Sequence, residues 1–404
     1  MSFRLPLAVN MLGVAEISAA KATLDSGFLT MGKLCERFER EFADYLGVDH
    51  AVMVNSGSSA NLIALFALAN PLVPLDGGRR KLMPGDEVIV PAMAWSTTIW
   101  PVLQAGAMPV FVDCDPQTLQ VTPAAIEAAI TPRTVAIVLV HVLGGACNIE
   151  EISEIATRHR IWLFEDTCES LGVTWNGRKV GSFGDMGSFS FYFSHHITTI
   201  EGGMVVTDNA RLADLLRALR AHGWARDMKN AAEVAAHYPD IDPRFLFVTT
   251  GFNVRPSEIN AAIGLEQLKR LEGFNARRRD LAARFNKGLA AIQQAGHLQL
   301  INFDPRSVAA PFGYSVVCET QGARDGLRQH LEAGGIETRP IICGNIVRQP
   351  AFANFDHRVS GELAGADRVM DCGIYWGLHP GMTEQDVDSV VQYVRAFFDR
   401  HEPR

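Results

Sequence analysis

Cysteine is scarce and scattered. The seven thiols stand at positions 35, 114, 147, 168, 318, 343 and 372, odd in number and with no pair at CxxC spacing. That pattern supports neither a disulfide scaffold nor a zinc site, and it suits a reducing cytoplasm. Long apolar runs are missing as well: none approaches the roughly 18–20 residues of a membrane-spanning helix. The opening MSFRLPLAVNMLGVAEISAA lacks the basic–apolar–cleavage order of a signal peptide, so a cytoplasmic chain is expected. Nor is there an excess of positive charge. Lys and Arg number 37 against 45 Asp and Glu, for a net charge of −8, which excludes the clustered basic surface of non-specific nucleic-acid binding. A few local arginines could still hold an anionic substrate. No GxGxxG follows the first expected strand, which argues against a dinucleotide site.

What the chain does have is length and rhythm. Its 404 residues, 48% hydrophobic and 20% charged, suit a soluble enzyme with a large and a smaller domain. Apolar, β-rich runs at 51–54, 87–91, 109–113, 136–142, 161–166, 187–192 and 203–207 alternate with helical patterns at 58–69, 123–130 and 149–158. This alternation predicts α/β units around a mostly parallel, buried sheet, with ligands at the carboxyl ends of its strands. A helix at 211–222 precedes a long polar insertion at 226–250. A strongly helical stretch at 257–292 then leads to a C-terminal α+β part, with strands at 312–318 and 336–342 and helices at 323–333 and 384–399.

Chemistry concentrates just beyond the strands. Asn55-Ser56-Gly57-Ser58-Ser59 follows the first, where free backbone N–H groups, hydroxyls and the positive end of a helix would face one point. It reads either as an anion cup or as an ordinary serine cap. The strand at 161–164 runs into Glu165-Asp166-Thr167-Cys168-Glu169. Asp166 there is either a helix cap or a carboxylate holding a pyridine nitrogen protonated, a bond worth roughly 1.5–3 kcal/mol. Trp95 suits a core or a stacking face, and Cys168 reads as a small core residue. Last comes Ser190-Phe191-Tyr192-Phe193-Ser194-His195-His196-Ile197-Thr198-Thr199-Ile200-Glu201-Gly202-Gly203.

These segments, in this order, resemble the DegT/DnrJ/EryC1/StrS family of sugar aminotransferases. The last one matches the family's lysine segment, SF-x-x-x-(Lys)-x-x-T-x-x-EGG, with His195 in the lysine slot. The resemblance extends to Thr30-Met31-Gly32, Gly251-Phe252-Asn253-Val254-Arg255 and Gly335-Ile336-Glu337-Thr338-Arg339-Pro340. It implies an aspartate-aminotransferase-like fold (fold type I): a large domain, 1–275, with a mostly parallel seven-stranded sheet, and a small α+β domain, 276–404. It also implies pyridoxal or pyridoxamine phosphate as cofactor, with Gly57, Ser58 and Ser190 at the phosphate, Trp95 on the ring, Asp166 at its nitrogen and Glu169 close by. Asn253 matches an asparagine that reaches the neighbouring subunit's phosphate, which implies a homodimer with shared active sites.

A lysine amine can tether the cofactor aldehyde; an imidazole cannot, although it moves protons near neutral pH. Within the family the exchange resembles that of the 3-dehydratases, and this resemblance implies a lyase: a 3-dehydratase of a nucleotide-linked 4-keto-6-deoxyhexose that takes L-glutamate as amino donor and releases a 3-deoxy-4-keto sugar and ammonia. The GDP-4-keto-6-deoxy-D-mannose type of the colitose pathway, in lipopolysaccharide O-antigen synthesis, is favoured over CDP- or dTDP-linked types. Iron–sulfur relatives carry a cysteine-rich insertion after the lysine segment, and 222–260 here contains no cysteine, so neither a cluster nor a reductase is expected. Against that, Gly344-Asn345-Ile346-Val347-Arg348-Gln349-Pro350 and Gly361-Glu362-Leu363 resemble the iron–sulfur relatives, which leaves the nucleotide open. Arg226, Arg255, Arg339 and Asn345 are candidates for the nucleotide sugar or the glutamate carboxylate, or else ordinary surface pairs. Two rivals remain: an aminotransferase using another lysine, such as Lys179, and a pseudoenzyme that scaffolds a partner.

Overall fold

The computed structural model describes residues 3–400. The seven expected strands all form: β1 (His50–Val54), β2 (Glu87–Pro91), β3 (Met108–Val112), β4 (Thr134–Val140), β5 (Trp162–Asp166), β6 (Met186–Ser190) and β7 (Gly203–Thr207). The C-terminal part adds β8 (Leu298–Leu300), β9 (Tyr314–Cys318), β10 (Thr338–Arg339), β11 (Arg358–Val359) and β12 (Gly373–Trp376). The main sheet runs β1-β7-β6-β5-β4-β2-β3-β11. Only β7 runs antiparallel to its neighbours. The short β11 joins the far edge, parallel to β3. Strands β2, β4, β5, β6 and β7 are buried along their whole length, as continuous apolar runs covered by helices on both faces should be.

Helices α1 (Val14–Ser26) and α2 (Lys33–Leu46) precede the sheet, and α3 (Gly57–Ala69), α4 (Ser96–Gln104), α5 (Pro123–Ala129), α6 (Ile149–His159) and α7 (Ala210–Arg220) alternate with its strands. The polar insertion carries one short helix, α8 (Ala231–Ala236). The expected helical stretch at 257–292 is two helices, α9 (Glu258–Leu268) and α10 (Leu271–Gln294). Arg270 sits at the break, where its guanidinium donates to the buried Glu16 carboxylate at 2.6 Å and to the Met11 carbonyl at 2.9 Å. The expected strand at 336–342 shrinks to two residues, because Pro340 has no N–H to donate and Ile342 turns the backbone to φ +49.

The C-terminal sheet, ordered β8-β9-β12-β10, packs with α10, α11 (Gln321–Ala333) and α13 (Glu384–Asp399) around Phe285, Leu327, Trp376 and Val390. Helix α12 (Ala364–Cys372) instead returns to the large core, together with Ile341, Ile346 and Phe352. The strand order brings the carboxyl ends of β1, β5 and β6 to one edge, and a cavity opens there.

Candidate active site

The cavity is about 380 Å³, and its lining includes Gly57, Ser58, Trp95, Asp166, Glu169, Ser190 and His195. Seven of the twelve candidate residues thus meet at one place, although 138 positions separate Gly57 from His195.

The floor is built by strand ends. Ser56 caps α3 by accepting from the Ser59 N–H at 3.0 Å, so the helix begins at Gly57 with its first N–H groups free. A Cβ at Gly57 would stand 2.5 Å from the Ser190 Cβ and 3.0 Å from the Cys168 sulfur. Only glycine lets the start of α3 close against the end of β6. The Ser58 hydroxyl donates to Thr97 Oγ1 at 2.9 Å. Backbone donors, the helix dipole and three hydroxyls form a neutral cup suited to a phosphate.

Asp166, 4% exposed, ends β5. Its Oδ2 accepts from Asn61 at 2.8 Å and from Thr98 at 2.7 Å, and its Oδ1 from the Cys168 N–H at 3.1 Å. Asn61 is fixed in turn by the Ser188 hydroxyl, at 2.6 Å. Among the described residues no cation pairs with this carboxylate. A buried carboxylate held by neutral donors alone fits a partner that brings its own positive proton, as a pyridinium nitrogen does. Trp95, 57% exposed, stands at the mouth. Donors at one end, a carboxylate at the other and an indole at the rim fit pyridoxal phosphate.

His195 closes the opposite wall. Its ring meets Tyr192 and Phe312 edge-on, with centroids at 5.9 and 5.2 Å. Neither ring nitrogen bonds another protein group among the described residues, and Nδ1 is buried. Burial, reinforced by the charge of Arg278, pushes its pKa down to about 4, so the imidazole is neutral at cellular pH. Beside it, His196 Nε2 must carry its proton, since it faces the Ala310 carbonyl at 2.8 Å. Glu169 accepts from the Leu143 N–H at 3.0 Å. Burial, with the Asp166 charge nearby, raises its carboxyl to about 7. Among the described residues no lysine lines the cavity. Lys179 sits over the Tyr45 ring at 4.4 Å, outside it.

The other five candidates lie elsewhere. Arg255 donates to exposed Asn253 at 3.0 Å, and Arg226 stacks on Trp224 at 3.9 Å, so these three form a separate surface group. Arg339 pairs with Glu337 at 2.7 Å and lies across a strand pair from the cavity residue Tyr375. Asn345 is buried, caps the turn 346–348 by accepting from the Val347 N–H at 3.1 Å, and donates to Asp367. Sequence reasoning passed over Asn61, Thr98, Phe312, Ile342 and Tyr375. Asn61 was legible in principle, one turn after Gly57 on the same helix face. Phe312, Ile342 and Tyr375 carried no signal.

Residues 10–395 match the profile of the DegT/DnrJ/EryC1/StrS aminotransferase family. The lipopolysaccharide biosynthesis protein RfbH of Salmonella typhimurium is 37% identical over 97% of this chain and 91% of its own. A dTDP-4-dehydro-2,6-dideoxy-D-glucose 3-dehydratase of Saccharopolyspora spinosa is 38% identical over 91% of this chain and 81% of its own. The GDP-4-keto-6-deoxy-D-mannose 3-dehydratase of Yersinia pseudotuberculosis is 37% identical, with 93% and 94% covered. Among solved structures, the E. coli GDP-4-keto-6-deoxy-D-mannose 3-dehydratase with bound hydrated PLP superposes with a TM-score of 0.89, at 35% identity, over 98% of this chain and all of that one. A GDP-4-keto-6-deoxymannose 3-dehydratase with a trapped PLP-glutamate geminal diamine, and a variant with bound GDP-perosamine, each give 0.88 at 35% identity, covering 97% of this chain and 100% of theirs.

Proposed function

The chain belongs to the DegT/DnrJ/EryC1/StrS aminotransferase family, and from that premise we propose that it is a 3-dehydratase of a nucleotide-linked 4-keto-6-deoxyhexose. GDP-4-keto-6-deoxy-D-mannose is the favoured substrate. The cofactor is pyridoxal phosphate, aminated by L-glutamate, and the products are a 3-deoxy-4-keto sugar and ammonia. One observation carries the reading: an unpartnered imidazole, and no amine, faces the cavity. The names of the 3-dehydratase relatives support it.

When bound, the aminated cofactor supplies a primary amine for the sugar C4 carbonyl and a ring that accepts electrons. Gly57, Ser58 and Ser190 bind its phosphate. Asp166 holds the proton on the ring nitrogen, which keeps the ring electron-poor. His195 takes a proton on an imidazole nitrogen and gives it to the departing C3 oxygen. A base that is neutral at cellular pH is ready for the first step, and a weakly basic imidazole is a strong acid in the second. Such help is worth roughly 10²- to 10⁴-fold. Phe312, against the histidine ring, helps keep water from it.

A homodimer with shared sites completes the proposal. Trp95 and Tyr192, which line the cavity, are exposed, as are Phe193 and Ile200 on the histidine segment, and such exposed apolar groups suit cover by a second copy. Asn253, away from its own cavity, is then available to the partner's. The Saccharopolyspora relative favours a second nucleotide, dTDP, at similar identity. Incubation with glutamate and a panel of GDP-, CDP- and dTDP-linked 4-keto-6-deoxyhexoses decides both points. Ammonia appearing together with 2-oxoglutarate marks dehydration. An aminated sugar without ammonia would mark transamination and end the reading.

A further inference from the structure

Arg278, on α10, is 3% exposed and has no carboxylate partner among the described residues. Its Nη1 donates to the carbonyls of Phe312 and Leu378, each at 2.7 Å, and to that of Pro311 at 3.4 Å, while Nε is buried without a partner. Leaving a guanidinium buried without a counter-ion is expensive, and a chain seeking only stability would place a hydrophobe or an ion pair there. The carbonyls it gathers belong to the strap 310–313 and to the turn after β12.

The strap touches both sides of the cavity. Its Ala310 carbonyl accepts from His196, and its Phe312 ring lies 5.2 Å from the His195 ring and 5.7 Å from the His196 ring. Its Ala310 and Phe312 N–H groups donate to the carbonyls of Gly144 and Leu143 at 3.0 and 3.1 Å, and the Leu143 N–H in turn holds Glu169. Leu143 keeps φ at +47, an uncommon conformation for leucine, in order to do this.

We propose that Arg278 is a positioning residue for proton transfer by His195, acting through the strap that it clamps against the two imidazoles. This rests on the reading that His195 carries the proton. Among the described residues, Arg278 also supplies the fixed positive charge that acts on that ring. The other titratable groups facing the cavity are Asp166 at the end of β5, Cys168 and Glu169 just beyond it, Tyr192 and Glu201 on the histidine segment, and Tyr375 on β12, with His196 alongside against Phe312. The acids and phenols among them are neutral or negative, so they favour imidazolium; Arg278 opposes it, as does His196 once protonated. The guanidinium stays charged at cellular pH even though burial lowers its pKa to about 10.

The test compares Arg278→Met, which keeps bulk and loses charge, with Arg278→Lys, which keeps charge but not the fork. Histidine ring resonances of the full-length protein, assigned with His195→Asn, report the His195 titration without any turnover. Arg278→Met is expected to raise the proton affinity of His195 about tenfold, or one pH unit. The acid limb of kcat/KM should move up by the same amount, and kcat should fall more than tenfold while the cofactor dissociation constant stays within threefold. Arg278→Lys should keep the acid limb near its original pH but still lose kcat, since one ammonium cannot reproduce the clamp. An unchanged His195 titration and kcat in folded Arg278→Met would overturn the inference. If that variant does not fold, Arg278→Lys decides: full kcat there would equally sink it. Dehydration surviving in His195→Asn would instead bring down the proposed function, so the two failures are distinct.

Discussion

The Thr98 hydroxyl donates to Oδ2 of Asp166 at 2.7 Å, which ties the start of α4 to the end of β5. Asn61 shares that oxygen from α3. Three elements thus aim one carboxylate. No described residue pairs with it as a cation, which leaves it open to a cationic partner.

Replacing that carboxylate tests the idea. Asp166→Asn should weaken pyridoxal phosphate binding by roughly 1.5–3 kcal/mol, the worth of a charge-assisted hydrogen bond, or about 10- to 150-fold. Thr98→Val, which removes one orienting donor, should fall between this variant and the parent. Fluorescence titration reads both affinities. Equal affinity in parent and Asp166→Asn would mean that the carboxylate does not meet the ring nitrogen.

At position 195 two substitutions should diverge. His195→Asn retains shape but no useful basicity, so dehydration should drop roughly 10²- to 10⁴-fold. His195→Lys puts an amine where the cavity has none. Borohydride reduction followed by mass spectrometry should then find a pyridoxyl label at that position in the variant and at no position in the parent. Aminated sugar should also appear among the variant's products.

Gly57→Ala carries a steric prediction. The new methyl would lie 2.5 Å from the Ser190 Cβ, so the start of α3 must retreat from β6. We expect about 1–3 kcal/mol of lost stability, the usual result of overpacking, and a drop of at least tenfold in phosphate and cofactor affinity. Thermal melts and inorganic-phosphate competition measure the two separately. A variant with parental affinity would place the phosphate elsewhere.

Acid should loosen the fold earlier than carboxylates alone would. Burial lowers His195 and His379 to about 4 and His196 to about 3, from an ordinary value near 6.5. Between those values the unfolded chain binds these protons and the native chain does not. Stability is therefore lost as pH falls through 6.5 towards 4, by on the order of 1 kcal/mol per pH unit for each histidine. Glu169, raised to about 7, works the other way, since its contribution is lost as pH rises from 4.5 to 7. Three groups against one make the net slope positive with pH. Urea midpoints at pH 7 and pH 5 should show it, and His196→Asn should flatten it.

Much of this site was legible beforehand for a simple geometric reason. Gly57 opens the helix just after β1, and Asp166 and Ser190 end β5 and β6, strands carried to one edge of the sheet, so each could be located from local pattern alone. The arginines were a different matter. Arg226, Arg255 and Arg339 are long and flexible, and residue type alone does not say that they would settle on Trp224, Asn253 and Glu337. Asn345 was equally hard to place, because a cap and a ligand contact use the same amide; in the fold it caps the turn 346–348.

The order of residues by itself determined the seven central strands, the glycine and hydroxyls that open the helix after the first of them, and the imidazole in the lysine slot, because these follow from neighbours along the chain. Folding alone decided that the imidazole is neutral and which rings confine it. Desolvation and charge act over a few ångströms of space, and Phe312, Arg278 and Tyr375 enter that space from more than 80 residues away.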